Sequence, residues 1–123
     1  LIVDDERPIA KLFSAALASM GYQPTVALSG EEAWELFRAA PEGFDAVVTD
    51  QMMPDMTGVS LSRQILKVRP DIPIILCTGY SEVVDREKAA AMGIRAFMLK
   101  PVDLDVLSKT IQDEIAAGRK TGG

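Results

Sequence analysis

The stretch AVVTDQMMPDMTG, residues 46–58, contains a short apolar run that ends at an acidic residue, Asp50, before a polar loop. Three other apolar runs also end at reactive polar side chains: LIV at Asp4 and Asp5, IPIILC at Thr78, and AFML at Lys100. Continuous apolar runs bounded by turn residues are typical of strands buried on both faces of a parallel sheet. Because the carboxyl ends of such strands line one crevice, we expect these polar residues to lie together.

The composition describes one domain that folds by aliphatic packing. The chain has 123 residues, 48% hydrophobic and 6% aromatic, enough for a core without disulfides or structural metals. Residues 1–117 form the predicted domain, and the Gly-rich residues 118–123 are expected to be a flexible C-terminal tail or linker. Because the first strand is short, we expect the natural polypeptide to begin earlier.

Charge and residue usage restrict the possible functions. The net charge of −5 argues against direct nucleic-acid binding, and no apolar run is long enough to insert into a membrane. The chain has no histidine, so it cannot itself carry a phosphohistidine or a histidine metal ligand. Its single cysteine, Cys77, is consistent with a reducing, cytoplasmic location.

Strand and helix patterns alternate along the chain. After the first run, strands are predicted at about 23–28, 45–49, 72–77 and 94–99, with a helical pattern after each strand. Five strands alternating with five helices predict an α/β fold, a flavodoxin-like (βα)5 three-layer sandwich around a parallel five-stranded sheet. The doubly wound order 2-1-3-4-5 is the natural candidate for that sheet.

Capping residues mark the starts of three predicted helices. Ser29 followed by Glu32 is a capping-box pattern for the second helix. Ser81 and Asp103 are candidate caps for the fourth and fifth helices. These positions support the alternation of strands and helices.

Three carboxylates, those of Asp4, Asp5 and Asp50, are predicted to lie at one edge of the sheet. Two carboxylates ~4 Å apart repel by about 4 kcal/mol at an effective dielectric constant of 20, so three need compensation. Mg²⁺ would supply it, since it suits a site with few protein ligands and retained waters. Taken without the other residues, the two acids after the first strand have an equally good explanation, because the dipole of the following helix favours negative charge at its start. The further polar strand ends favour a cation site.

Asp50 is the candidate nucleophile of this site. A carboxylate beside Mg²⁺ can attack phosphorus in line and form an aspartyl-phosphate. The Lys100 ammonium and the Thr78 hydroxyl would bind the phosphoryl oxygens. A cis bond before Pro101 would aim the lysine into the crevice, whereas a trans bond is the ordinary expectation, and the sequence leaves both open.

Four motifs, LIVDDE, VVTDQMMPDMTG, IILCTGY and AFMLKP, occur in this order. Together they resemble the receiver domain of two-component response regulators, over residues 1 to about 117. Each motif is weak alone, but the ordered set is specific. The segment from ILCTGYSE to GIRAFMLKP also resembles receivers of hybrid histidine kinases, so a stand-alone protein and a module of a larger one both remain open.

The resemblance implies phosphorelay signalling. In that case Asp50 accepts a phosphoryl group from a phosphohistidine on a sensor histidine kinase or phosphotransfer domain, and a downstream output domain or protein responds. The resemblance also implies Mg²⁺ as cofactor and a role for each site residue: Asp5, Asp50 and the backbone carbonyl of Met52 bind the ion, Asp4 acts through a water, Thr78 and Phe97 form the switch, and Lys100 binds the phosphoryl group.

Such a domain is not a conventional enzyme, because it catalyses only its own phosphorylation and a slow autodephosphorylation. Two features depart from the commonest pattern of the family. Phe97 lacks the hydroxyl of the tyrosine that many relatives carry, so we expect any switch to work by packing alone. Met52 and Tyr80 flank the phosphorylation site, and we expect their bulk to restrict the attacking water.

Three other functions compete with this interpretation. A phosphatase of the haloacid dehalogenase type also uses an aspartate nucleophile, but it needs a second carboxylate two residues later, where this chain has Met52. A receiver-like interaction module that is never phosphorylated would not need the complete acid set with Thr78 and Lys100. A flavodoxin-type cofactor domain would need a phosphate-binding loop after the first strand, which this sequence lacks.

Overall fold

The structure is a computed structural model that describes residues 1–79 and 86–122. Strands and helices alternate through these residues. The strands are β1 (Ile2–Val3), β2 (Val26–Ala27), β3 (Val47–Asp50), β4 (Ile74–Thr78) and β5 (Ala96–Leu99). The helices are α1 (Arg7–Ser19), α2 (Gly30–Ala39), α3 (Gly58–Val68), α4 (Arg86–Met92) and α5 (Leu104–Gly122), with a short 3-10 helix at Pro41–Gly43.

The strands form one parallel sheet in the order β2-β1-β3-β4-β5, which confirms the predicted doubly wound fold. Asp50 at the end of β3 pairs with Cys77, and Thr78 at the end of β4 pairs with Leu99. The ends of β3, β4 and β5 therefore lie side by side at the edge where β1 also ends.

Two apolar cores cover the two faces of this sheet. Successive residues Val47 and Val48 of β3 belong to different cores, as the alternation of side chains along a strand requires. One core packs against helices α2, α3 and α4 through Phe37, Ile65 and Ala89, among others. The other core packs against α1 and α5. Helices therefore lie on both sides of the sheet, which gives the expected three layers.

Burial confirms the strand prediction for the central strands but not for β5. Every residue of β3 and β4 is buried. In β5, Ala96, Phe97 and Met98 are only half-buried and Leu99 is exposed. The reason is position, because β5 is the last strand of the sheet and has a neighbour on one side only.

Side-chain caps begin three of the helices. Ser29 Oγ accepts the Glu32 N–H at 3.0 Å, and Asp103 Oδ1 accepts two N–H groups of α5, at 2.9 and 3.2 Å, so both predicted caps are confirmed. Thr57 Oγ1 accepts the Ser60 N–H at 3.1 Å and so caps α3. This third cap was not predicted from the sequence. The predicted cap Ser81 lies outside the described residues.

Strands β3, β4 and β5 begin and end within two residues of their predicted bounds, and two other boundaries differ more. The strand expected at 23–28 is shorter, because Pro24 has no N–H for a ladder hydrogen bond. The helical backbone of α5 continues to Gly122, beyond the expected end near residue 117. Whether the last residues serve as a linker stays a prediction.

Candidate functional site

The polar residues predicted from the strand ends meet at the carboxyl edge of the sheet. Asp4 follows β1, while Asp50 and Thr78 are the last residues of β3 and β4. Lys100 follows β5, and its ammonium forms an ion pair with Asp50. The side chain of Asp50 therefore faces both the other acids and the lysine, as the sequence analysis requires.

Three carboxylates form the centre of this site. Asp4, Asp5 and Asp50 each offer one oxygen, and these oxygens all lie within 4.8 Å of one another. Asp4 and Asp50 are only 6% and 4% exposed, whereas Asp5 is open to solvent. Water therefore screens little of the repulsion between the two buried acids, and the cluster depends on positive charge for compensation.

The environment of Asp4 reflects this crowding. Burial raises the pKa of the Asp4 carboxyl, and the negative charges of Asp50 and Asp5 raise the same pKa further. The Glu6 N–H, which donates to Asp4 Oδ1 at 2.9 Å, and the Lys100 ammonium act in the opposite direction. The net shift is upward, so Asp4 resists ionisation more than an ordinary aspartate.

Lys100 is the cation that the described residues place against the acids. Its backbone N–H donates to the Thr78 carbonyl at 2.8 Å, which holds the end of β5 beside the end of β4. The bond to Pro101 is cis, so the structure decides the alternative that the sequence left open. The lysine side chain is 35% exposed, so its ammonium reaches the buried carboxylate while staying in contact with solvent.

The predicted switch and flanking residues lie around this centre. Thr78 is buried at the tip of β4, and Phe97 packs half-buried against the core on the α2–α3 side of the sheet. Met52 follows Asp50 closely, with its side chain 55% exposed. The role of the Met52 backbone carbonyl as a cation ligand stays a prediction. Tyr80 lies outside the described residues.

Two residues that support Asp50 were not predicted from the sequence. Gln51 is buried and its Oε1 accepts the Val59 N–H at 3.0 Å, while its carbonyl accepts the Gly58 N–H at 2.9 Å. A Cβ atom at Gly58 would lie 2.5 Å from the carbonyl oxygen of Asp50 and 2.6 Å from Leu76 Cδ1. The start of α3 therefore packs directly on the backbone of Asp50, and the only sequence signal was a glycine at a helix start.

A cavity of about 410 Å³ borders the acidic site on the side of α1 and α5. Its mostly apolar wall includes Ile9 and Phe13 from α1 and Pro101 after β5, and its lining reaches Asp50 and Lys100. An apolar side chain of another molecule can thus rest beside the carboxylate cluster.

Comparison with known proteins places this site in a family. The family model for the response regulator receiver domain matches residues 1–112. The transcriptional regulatory protein GlrR of Escherichia coli K12 is 36% identical over 115 residues, which cover 94% of this chain and 26% of that protein. The transcriptional regulatory protein ZraR of Salmonella typhimurium is 33% identical over 122 residues, covering 99% of this chain and 27% of that protein.

Solved structures agree with these relatives. A response regulator receiver domain protein from Clostridium thermocellum superposes with a TM-score of 0.92 at 28% identity, covering 98% of this chain and 95% of the other. The FixJ-N structure superposes with a TM-score of 0.79 at 33% identity, covering 94% and 90%. The chain therefore belongs to the receiver domain family of two-component response regulators.

The relatives extend well beyond the matched region. This chain spans about a quarter of the length of GlrR and ZraR. Within residues 1–79 and 86–122, each helix is either too short or too polar to cross a membrane.

Proposed function

We propose that Asp50 accepts a phosphoryl group from a phosphohistidine in a Mg²⁺-dependent reaction, and that this phosphorylation switches a protein-interaction surface. The donor is a sensor histidine kinase or a phosphotransfer domain, and the responder is a downstream output domain or protein. The observation that carries the proposal is the buried Asp50 carboxylate, which lies within 4.8 Å of two other carboxylates and pairs with Lys100. A cytoplasmic location belongs to the same proposal.

The donor set fits Mg²⁺. The ligands that the cluster offers are all oxygens, which is the preference of this hard cation, and few of them come from side chains. We assign direct contacts to Asp5, Asp50 and the Met52 carbonyl, with Asp4 acting through a water. When bound, the ion neutralises the crowded carboxylates and polarises the phosphoryl oxygens.

The chemical step uses residues of this chain. A carboxylate oxygen of Asp50 attacks phosphorus in line, the new O–P bond forms, and the P–N bond of the donor breaks with its electrons left on the imidazole. The Lys100 ammonium, which neutralises Asp50 in the resting site, moves its hydrogen bonds to a phosphoryl oxygen. The hydroxyl of Thr78 donates to a second oxygen.

The switch follows from the new charge. A phosphoryl group adds about 1.5 to 2 negative charges and strong acceptors, which attract the Thr78 hydroxyl. Movement of Thr78 leaves space beside β4 that Phe97 fills, and the half-burial of Phe97 leaves that ring room to repack. Since Phe97 has no hydroxyl, this repacking changes the surface by shape alone.

The partner approaches from the side of α1. The cavity beside Asp50 has an apolar wall formed by Ile9 and Phe13, and Leu12 of α1 is also exposed. A donor protein can bury apolar side chains there while its phosphohistidine faces Asp50.

The test is phosphorylation by acetyl phosphate with Mg²⁺, followed by intact mass spectrometry. We expect one phosphoryl group per chain, none on Asp50→Asn, and unchanged labelling of Asp45→Asn, which makes the same charge change before β3 at the opposite end of the strand. Repeated turnover of a phosphate ester would favour the phosphatase alternative. An unlabelled wild-type protein would favour an interaction module that is never phosphorylated.

A further inference from the structure

The loop between β3 and α3 is fastened to a helix that is distant in sequence. Both carboxylate oxygens of Asp55 accept backbone N–H groups of the first turn of α2: Oδ1 from Gly30 at 3.2 Å and Oδ2 from Glu31 at 2.8 Å. These groups have no partner within the helix, because an α-helix leaves its first N–H groups unpaired. Ser29 accepts the next one, from Glu32, so Asp55 completes the cap from another segment.

The residue after Asp55 strengthens this contact. Met56 packs so closely on Gly30 that a Cβ atom at position 30 would overlap the methionine side chain. Met56 also joins the edge of the core beside α2 and α3. Two consecutive loop residues thus touch the first residue of α2.

The same loop carries the proposed cation ligand. Met52 lies between the buried anchors Gln51 and Met53, and its own side chain points into solvent. Beyond Met53, the hydrogen bonds of Asp55 to α2 limit the movement of the loop. Loss of this attachment would leave the Met52 carbonyl held only by its two buried neighbours, Gln51 and Met53.

We propose that Asp55 is a positioning residue for the cation site, because it holds the Met52 loop in its binding conformation by fastening the loop to α2. This inference rests on the proposed function, since it assumes that the acidic cluster binds Mg²⁺. Groups that orient metal ligands typically contribute 10- to 100-fold to metal affinity. We expect about 10-fold for Asp55, at the lower end of that range, because the buried residues Gln51 and Met53 still anchor the loop on both sides of Met52.

The experiment compares the Mg²⁺ dissociation constants of the whole chain and its variants, measured from amide chemical shifts during titration with MgCl₂. Asp55→Ala should bind Mg²⁺ about 10-fold more weakly. Asp55→Asn removes the charge and keeps one of the two oxygens that accept N–H groups of α2. It should therefore bind Mg²⁺ more tightly than the alanine variant and less tightly than the wild type. Ser29→Ala removes a cap from the same helix end without touching the loop, and its affinity should be unchanged.

Each outcome decides the inference. Wild-type affinity in Asp55→Ala would overturn it and leave Asp55 as a simple helix cap. Equal weakening in Ser29→Ala would assign the effect to α2 stability. If the wild type bound no Mg²⁺, the proposed function itself would fail. If the wild type and Asp55→Ala bound Mg²⁺ equally well, only the inference about Asp55 would fail.

Discussion

Replacing Asp50 by asparagine should leave the metal-free protein at least as stable as the wild type. Loss of a buried, ion-paired carboxylate usually destabilises a fold strongly. Here the opposite sign is expected, because Asp50 shares its site with Asp4 and Asp5. Asparagine keeps the size of the side chain and removes its charge.

The magnitude follows from the geometry of the cluster. At 4.8 Å, the outer limit of the oxygen separations, two carboxylates repel by about 3.5 kcal/mol at an effective dielectric constant of 20. Asp50 has two such neighbours, and its attraction to Lys100 at contact, ~3 Å, contributes about 5 kcal/mol on the same scale. Solvent around Asp5 reduces its share, so we expect a gain of about 0 to 2 kcal/mol in the free energy of unfolding.

The assay is urea denaturation, followed by circular dichroism in chelator and again in excess Mg²⁺. The wild type should gain about 1.4 kcal/mol when Mg²⁺ is ~10 times its dissociation constant, by mass action alone. Asp50→Asn should gain less, since it has lost one of the proposed ligands. Asp45→Asn, a change on an exposed residue before the opposite end of β3, should follow the wild type in both media.

A clear loss of stability in Asp50→Asn with chelator present would contradict this expectation. It would mean that the attraction to Lys100 outweighs both repulsions, so that the acids need no cation. An equal response of the wild type and Asp50→Asn to Mg²⁺ would place the ion elsewhere.

Removing the positive charge of Lys100 should have the opposite effect on stability. Lys100→Met should destabilise the metal-free protein by about 3 kcal/mol, because the buried Asp50 carboxylate then lacks this ion-pair partner. An unchanged urea midpoint would contradict this prediction. Gly58→Ala should destabilise the fold by about 2 kcal/mol, because the new Cβ atom would overpack against the Asp50 carbonyl. Gly43→Ala should destabilise it much less, because the nearest neighbour of a Cβ atom there lies at 3.3 Å. Equal losses of stability in the two variants on thermal unfolding would argue against the close approach at Gly58. Partial desolvation raises the pKa of the Asp55 carboxyl, but backbone N–H groups, those of Glu31 and Gly30 foremost, together lower it by more, so the net pKa lies below the ordinary value of 3.8. The ionised Asp55 carboxylate therefore stabilises the fold above that pH, and this stabilisation is lost as the pH falls through the folded-state pKa. The free energy of unfolding of Asp55→Asn should therefore fall less steeply than that of the wild type as the pH is lowered. Superimposable curves of stability against pH would exclude this linkage.

Much of the site could be predicted because its signals are local. Each apolar run and the polar residue at its end lie within a few neighbouring positions, as with Thr78 after IPIILC. The doubly wound order 2-1-3-4-5 was the natural candidate for such a sheet, the structure confirms it, and it brings Asp4, Asp50 and Lys100 together. Roles for these residues beyond their placement remain proposals.

Other features depend on contacts between segments that are far apart in sequence. The carboxylate of Asp55 caps a helix that begins 25 residues earlier, and no local pattern indicates this pairing. The packing of Gly58 on the Asp50 carbonyl likewise requires the position of α3 on the sheet. The half-burial of Phe97 reflects the place of β5 at the edge, which a run of apolar letters does not reveal.

Local patterns were enough to predict the alternation of strands and helices and the kind of side chain at each strand end, because hydrophobic periodicity and turn residues act over a few positions. Three features became visible only in the folded chain: the distances among the three carboxylates, the pairing of Lys100 with Asp50, and the hydrogen bonds from α2 to the adjacent loop. Charge repulsion and hydrogen bonding depend on separations of a few ångströms, and only the packed helices and sheet establish those separations.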